Sequence, residues 1–168
     1  MTLQSKPGIQ EIAAPSLISR RLRDVAALFA LGLVVNGAVA LLVNSPAYTD
    51  AFYYFNAGVR IASGQMHFPE LLEPYIWNYL AAPRSLPTPA FTYWQPLPAF
   101  LAALGIRLFG PEPAFGSAQT IFVLLAATLP LVAYWVALQL GTRRHALLAG
   151  ALAAFSGIYV VYWSLPES

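Results

Sequence analysis

Asp50 is the side chain best placed to do chemistry. It opens the stretch "TDAFYYFNAGVRIASGQ" (residues 49–65), in which one carboxylate precedes a run of aromatics. A carboxylate in that position has two readings. At the start of a helix it accepts a backbone N–H and complements the positive end of the helix dipole. Beside rings able to stack on a sugar face, it is also equipped to take a proton from a hydroxyl as a general base. Tyr53 and Tyr54, and further on Trp94, are the candidate substrate-stacking side chains; Tyr93 and Trp94 read equally as anchors at a membrane interface.

The remaining chemistry-bearing residues are fewer. Arg60 and Arg84 have the fork geometry that suits a phosphate, or else they snorkel from an apolar face toward headgroups. His67, Glu70 and Glu73 in "HFPELLE" have a helical look, but Pro69 interrupts them and no second histidine follows, so a solvated face is preferred over a metal site. Glu167 stands alone near the C-terminal end, as a helix cap or as a second acid. There is no Gly-rich phosphate loop, Ser/His/Asp set or zinc signature. Zero cysteines exclude disulfides and thiolate chemistry, and a net charge of +2 is too small to point to nucleic acid. No cofactor is expected, and a divalent metal stays open.

The elements that position Asp50 follow from composition. Of the 168 residues, 58% are hydrophobic and only 10% charged, and the mean hydropathy is +0.61. A soluble domain carries roughly a quarter charged residues, so an all-α integral membrane protein is the class that follows. Residues 1–23 read as a cytoplasmic tail ending in "RRLR", and residues 24–43 as the first transmembrane helix, in which the nineteen residues after Asp24 are uncharged and span about 30 Å at 1.5 Å per residue. Arginines before this span and none just after it place the N-terminus inside. A cleavable signal peptide with "AVA" (residues 38–40) as its cutting site is the competing reading, disfavoured because cleavage there would strand apolar residues.

Residues 117–140 form the second span, with Pro130 as its kink, residues 141–145 ("GTRRH") a cytoplasmic turn, and residues 146–163 the third span. Residues 164–168 then emerge outside. The apolar stretch 96–109 is short and contains Arg107, so it reads as an interfacial helix; making it a span would also put Arg143 and Arg144 outside, against the positive-inside rule. Residues 44–116 are therefore one extracytoplasmic loop of about 70 residues, far beyond the usual handful, and its aromatic density argues against disorder. Within it, residues 51–63 predict a helix with Phe52, Phe55, Val59 and Ala62 on its apolar stripe, Arg60 facing away and Gly64 ending it. Residues 70–80 predict a weaker helix. Asp50 falls on the N-cap of the first.

In order and spacing, residues 20–168 resemble the N-terminal part of GT-C superfamily membrane glycosyltransferases, a group that includes protein O-mannosyltransferases and aminoarabinose transferases (family 39-like). The resemblance rests on "TDAFYYFNAGVRIASGQ" after the first span, "YWQPLPAFLAALGIRLFG" before the second, the basic turn in "LGTRRHALLAGALAAFS", and Glu167 at the position of an acid in the second external loop. It implies a truncated GT-C fold and transfer of a sugar from a polyprenyl-phosphate donor to an extracytoplasmic acceptor, with Asp50 as base and Glu167 as secondary acid. Arg60 or Arg84 would balance the donor phosphate. Two departures stand out. Many members carry two adjacent acids where this chain has Asp50 and then Ala51, and they have many more spans, so the chain reads as a fragment or as a small protein completed by a partner.

Expected partners are thus a lipid-linked sugar, membrane lipid and an unidentified acceptor, in the plasma (inner) membrane. The competing class is a non-catalytic membrane subunit or transporter fragment of a cell-envelope assembly. A transporter would place ionisable groups within its spans, and the chemistry here is concentrated in the loop.

Overall fold

The computed structural model describes residues 17–46, 49–66, 72–73, 88–91, 95–110 and 115–156. Its elements are α1 (Leu17–Leu42), α2 (Thr49–Ala62), β1 (Leu72–Glu73), β2 (Thr88–Pro89), α3 (Leu97–Phe109), α4 (Phe115–Ala126), α5 (Leu129–Leu140) and α6 (Arg143–Ala154). Apart from one two-residue antiparallel pair, the described residues with regular structure are helical.

α1 begins at Leu17, well before the apolar run, because leucine and arginine favour helix and carry "RRLR" into its first turns. The part of the expected tail that lies in the described residues is therefore helical. α2 ends in a Schellman motif: Gly64 has φ 74°, Gly64 N–H donates to Ile61 O (3.2 Å) and Gln65 N–H to Arg60 O (2.8 Å). Pro96 and Pro98 start α3, where their missing N–H groups have no helical partner to lose. α4 and α5 form one apolar stretch, Phe115–Leu140, broken at residues 127–128 just before Pro130, where the expected kink falls.

Two stretches, Ile18–Leu42 and Phe115–Leu140, are long and apolar enough to cross a membrane. Of the third expected span, residues 146–163, the structure shows helix only to Ala154: α6 ends there, Phe155 and Ser156 are outside it, and residues 157–163 lie outside the described residues; Arg143, Arg144 and His145 belong to the first turn of α6, so the connecting turn is shorter than expected. The predicted helix over residues 70–80 is corrected where it is described: Leu72 and Glu73 are extended, paired with Pro89 and Thr88. Pro74 explains it, since the residue before a proline is pushed out of the helical region.

α2 packs along α3, α3 along α4, and α5 along α6, while α1 crosses α4, α5 and α6. Small residues make these contacts. A Cβ on Gly58 of α2 would lie 2.7 Å from Ala102 Cβ, and one on Gly105 of α3 would lie 2.6 Å from Ser117 O. The buried interior is rich in alanine (Ala51, Ala57, Ala99, Ala102, Ala118 and Ala127), whereas Leu41, Leu42 and Leu140 are more than 80% exposed. Small residues inside and large apolar ones outside is the pattern of helices that associate in lipid, where the hydrocarbon surrounds them and close backbone approach holds them.

Candidate functional site

The site is the N-terminal half of α2 and what holds it. α2 lies at the end of the bundle where α1 finishes and α4 begins: the Phe55 ring meets Phe115 edge-on at 5.5 Å. Asp50 sits in the first turn of α2 and is half-buried. It is inside the helix by one residue and does not occupy the expected cap position, yet a carboxylate there still complements the positive end of the helix.

The residues after it are anchored. Ala51 is fully buried; Tyr53 and Tyr54 are buried, their rings 5.6 Å apart edge to face. The Tyr53 hydroxyl accepts a hydrogen bond from Phe91 N–H at 3.0 Å, and the Phe91 ring stands edge-on to Tyr53 at 5.8 Å. Phe91 has φ 60°, the left-handed region that bulky residues rarely adopt, and this bond together with the ring contact holds it there. Met66 and Ala99 complete the cluster. The apolar stripe of α2 is thus shifted from the expected one: Phe55, Val59 and Ala62 pack toward α3 and α4, Phe52 is 43% exposed, and Tyr53, Tyr54 and Ala57 form a second buried face.

At its far end α2 is fastened by α3. Arg107 Nη2 donates to Ile61 O (3.1 Å), which also accepts from Gly64 N–H, and its Nε to Ala62 O (3.3 Å), so a cation meets the negative end of the helix. Arg60 lies in the last turn of α2, half-buried rather than facing away, about 15 Å along the axis from Asp50 at 1.5 Å per residue. Asp50, Tyr53 and Tyr54 are therefore brought together and Arg60 is not. Arg84, Trp94, Glu167, His67 and Glu70 lie outside the described residues, and Glu73 is known only as part of β1. Among the described residues, no group of three potential metal-ligating side chains is assembled.

A second polar cluster escaped the sequence reading. Asp24, a buried residue of α1, receives Arg143 Nε on Oδ2 (2.7 Å) and Arg143 Nη2 on Oδ1 (2.5 Å), and the buried Tyr134 hydroxyl also donates to Oδ2 (3.0 Å). The carboxylate beside it holds the Arg143 guanidinium above its ordinary pKa, and it offsets the unfavourable placement of a cation at the N-terminus of α6. The contact draws the start of α1 and the turn after α5 to one end of the bundle. The signal for it was present: an acid at the edge of one apolar run and an arginine at the edge of another. Comparison with protein-family models, with curated proteins and with solved structures finds no match to this chain.

Proposed function

We propose that this chain is a membrane glycosyltransferase of the GT-C type, or the N-terminal part of one, that transfers a sugar from a polyprenyl-phosphate donor to an acceptor hydroxyl on the outer face. The observation that carries this reading is the half-buried carboxylate of Asp50 in the first turn of α2, on a helix fixed at both ends and standing where the first apolar helix ends. Asp50 takes the proton of the acceptor hydroxyl; the oxygen attacks the anomeric carbon, and the bond to the donor phosphate breaks with its electron pair on the leaving oxygen. Tyr53 and Tyr54, three and four residues on from Asp50, share its face of α2 and are buried, so they fix that face and do not offer open rings to a sugar.

The test is transfer from a labelled polyprenyl-phosphate sugar by the full-length protein in proteoliposomes. Asp50→Asn is expected to reduce turnover by about 10²–10⁴-fold with membrane insertion unchanged. Wild-type turnover in the Asn variant would remove Asp50 from this role.

The second reading, a non-catalytic membrane subunit, gains weight from the polar groups buried within the long apolar helices, Asp24, Asn36 and Gln119. On that reading the wild-type protein transfers no sugar from any polyprenyl-phosphate donor.

A further inference from the structure

α1 begins at Leu17, and its turns ahead of Asp24 carry Arg20, Arg21 and Arg23. α6 begins at Arg143, with Arg144 beside it. The Asp24–Arg143 pair brings these two helix starts together, so five of the chain's nine lysines and arginines stand at one end of the bundle. Arg21 is close enough for its charge to act on the Tyr134 hydroxyl, which binds the same carboxylate. Asp24 is the one acid at this end among the described residues, and Arg143 occupies it; the other described acids, Asp50 and Glu73, belong to α2 and β1. Arg20, Arg21, Arg23 and Arg144 are exposed.

Depth decides what such a patch faces. The uncharged run of α1 starts at Val25, so Asp24 marks the edge of the apolar stretch and Arg20 lies four residues out, about 6 Å along the axis. The headgroup layer on each side of a bilayer is about 5–7 Å deep, so Arg20, Arg21 and Arg23 fall at the level of lipid phosphates, and Arg144 falls with them beside Arg143. Apolar side chains are interleaved with these cations: Leu22 on α1, Leu140 at the end of α5 and Leu148 on α6 are all exposed. A soluble polyanion would leave those leucines in water. A lipid surface takes the guanidinium groups at its phosphates and the leucines at the edge of its hydrocarbon. We infer that this end of the bundle binds anionic phospholipid headgroups, in preference to zwitterionic ones, in the leaflet that holds the start of α1. Arg143 is outside the binding set, because its charge is committed to Asp24. The inference rests on the membrane reading of α1 and is independent of sugar transfer.

The test uses the full-length protein in phosphatidylcholine liposomes carrying a trace of spin-labelled phosphatidylglycerol or spin-labelled phosphatidylcholine. The wild type is expected to hold the phosphatidylglycerol label about three- to tenfold more tightly at low salt, and to lose most of that preference at about 1 M salt, where screening acts within about 3 Å. Arg20→Gln, Arg21→Gln and Arg144→Gln combined are expected to bring the two labels within about twofold of each other. The same three positions changed to lysine keep the charge and are expected to keep the preference. Both variants are expected to float with the liposomes as the wild type does, which separates a lost patch from lost insertion. Equal affinity for the two labels in the wild type overturns the inference, as does a preference that survives the glutamine changes or is lost with the lysine ones. Displacement of the label by inorganic phosphate at constant ionic strength overturns it too, since the patch would then read a soluble anion. Failure of the wild type to float would overturn the membrane reading beneath it, an outcome distinct from a floating protein without preference.

Discussion

The carboxylate of Asp24 and the guanidinium of Arg143 meet in a two-pronged pair, 119 positions apart in the chain, with the buried Tyr134 hydroxyl as a third contact. One acid thereby ties α1 to both helices of the α5–α6 hairpin. Replacing Asp24 with Leu leaves the Tyr134 hydroxyl without its acceptor in the interior, an expected loss of about 1–3 kcal/mol. Tyr134→Phe removes donor and demand together and is expected to lose less, about 1 kcal/mol. Unfolding of both variants by detergent titration, read by circular dichroism, checks the order. A charge-reversed pair, Asp24→Arg with Arg143→Asp, is expected to recover part of what either single reversal loses.

Tyr53→Phe is expected to unfasten Phe91 rather than α2. The ring and its packing stay, but the Phe91 N–H loses its acceptor, so ring contacts alone are left to hold the left-handed backbone. The expected outcome is exchange of the Phe91 amide about five- to tenfold faster, with the α2 amides little changed. Equal acceleration along the whole of α2 would mean that the hydroxyl supports the helix itself.

Gly105 and Gly37 make a contrasting pair. A methyl group on Gly105 meets the Ser117 and Ala118 carbonyl oxygens at 2.6 and 2.8 Å, so α3 must move off α4; Gly105→Ala is expected to cost about 1–3 kcal/mol. Gly37→Ala meets nothing and is expected to be neutral. Thermal melts in detergent separate the two.

Arg107→Met keeps the apolar stem and removes the donors that reach Ile61 and Ala62. The expected effect is fraying confined to the last turn of α2, seen as faster amide exchange at Gly64, Gln65 and Met66. Fraying that instead reaches Asp50 would make Arg107 a positioning residue for the candidate base.

Much of the scaffold was legible in the sequence because apolar runs and proline or glycine punctuation are local signals. Gly64 ends α2, Pro130 marks the break between α4 and α5, and Pro96 starts α3, each for a backbone reason that needs no knowledge of the fold. Pro74 carried equally plain information against a helix at Glu73, and the predicted helix there ignored it. What stayed hidden was pairing between distant segments. Arg107 read as a charge keeping α3 at the membrane surface, and its service to the end of α2 depends on how two helices cross. Tyr53 read as a ring for substrate, and its burial depends on where Phe91 returns. Asp50 was legible as an acid near a helix start, though its place one residue inside the helix was not.

Met66 belongs to the buried cluster of Tyr53, and Phe91 packs against that cluster and stands edge-on to Tyr53, so the chain leaves this point and comes back to it. Between them, Leu72 and Glu73 pair with Pro89 and Thr88, so the described part of this interval is closed a second time. A change in the shape of the Tyr53 ring is therefore transmitted to residues far apart in the chain, Met66 before β1 and Phe91 after β2.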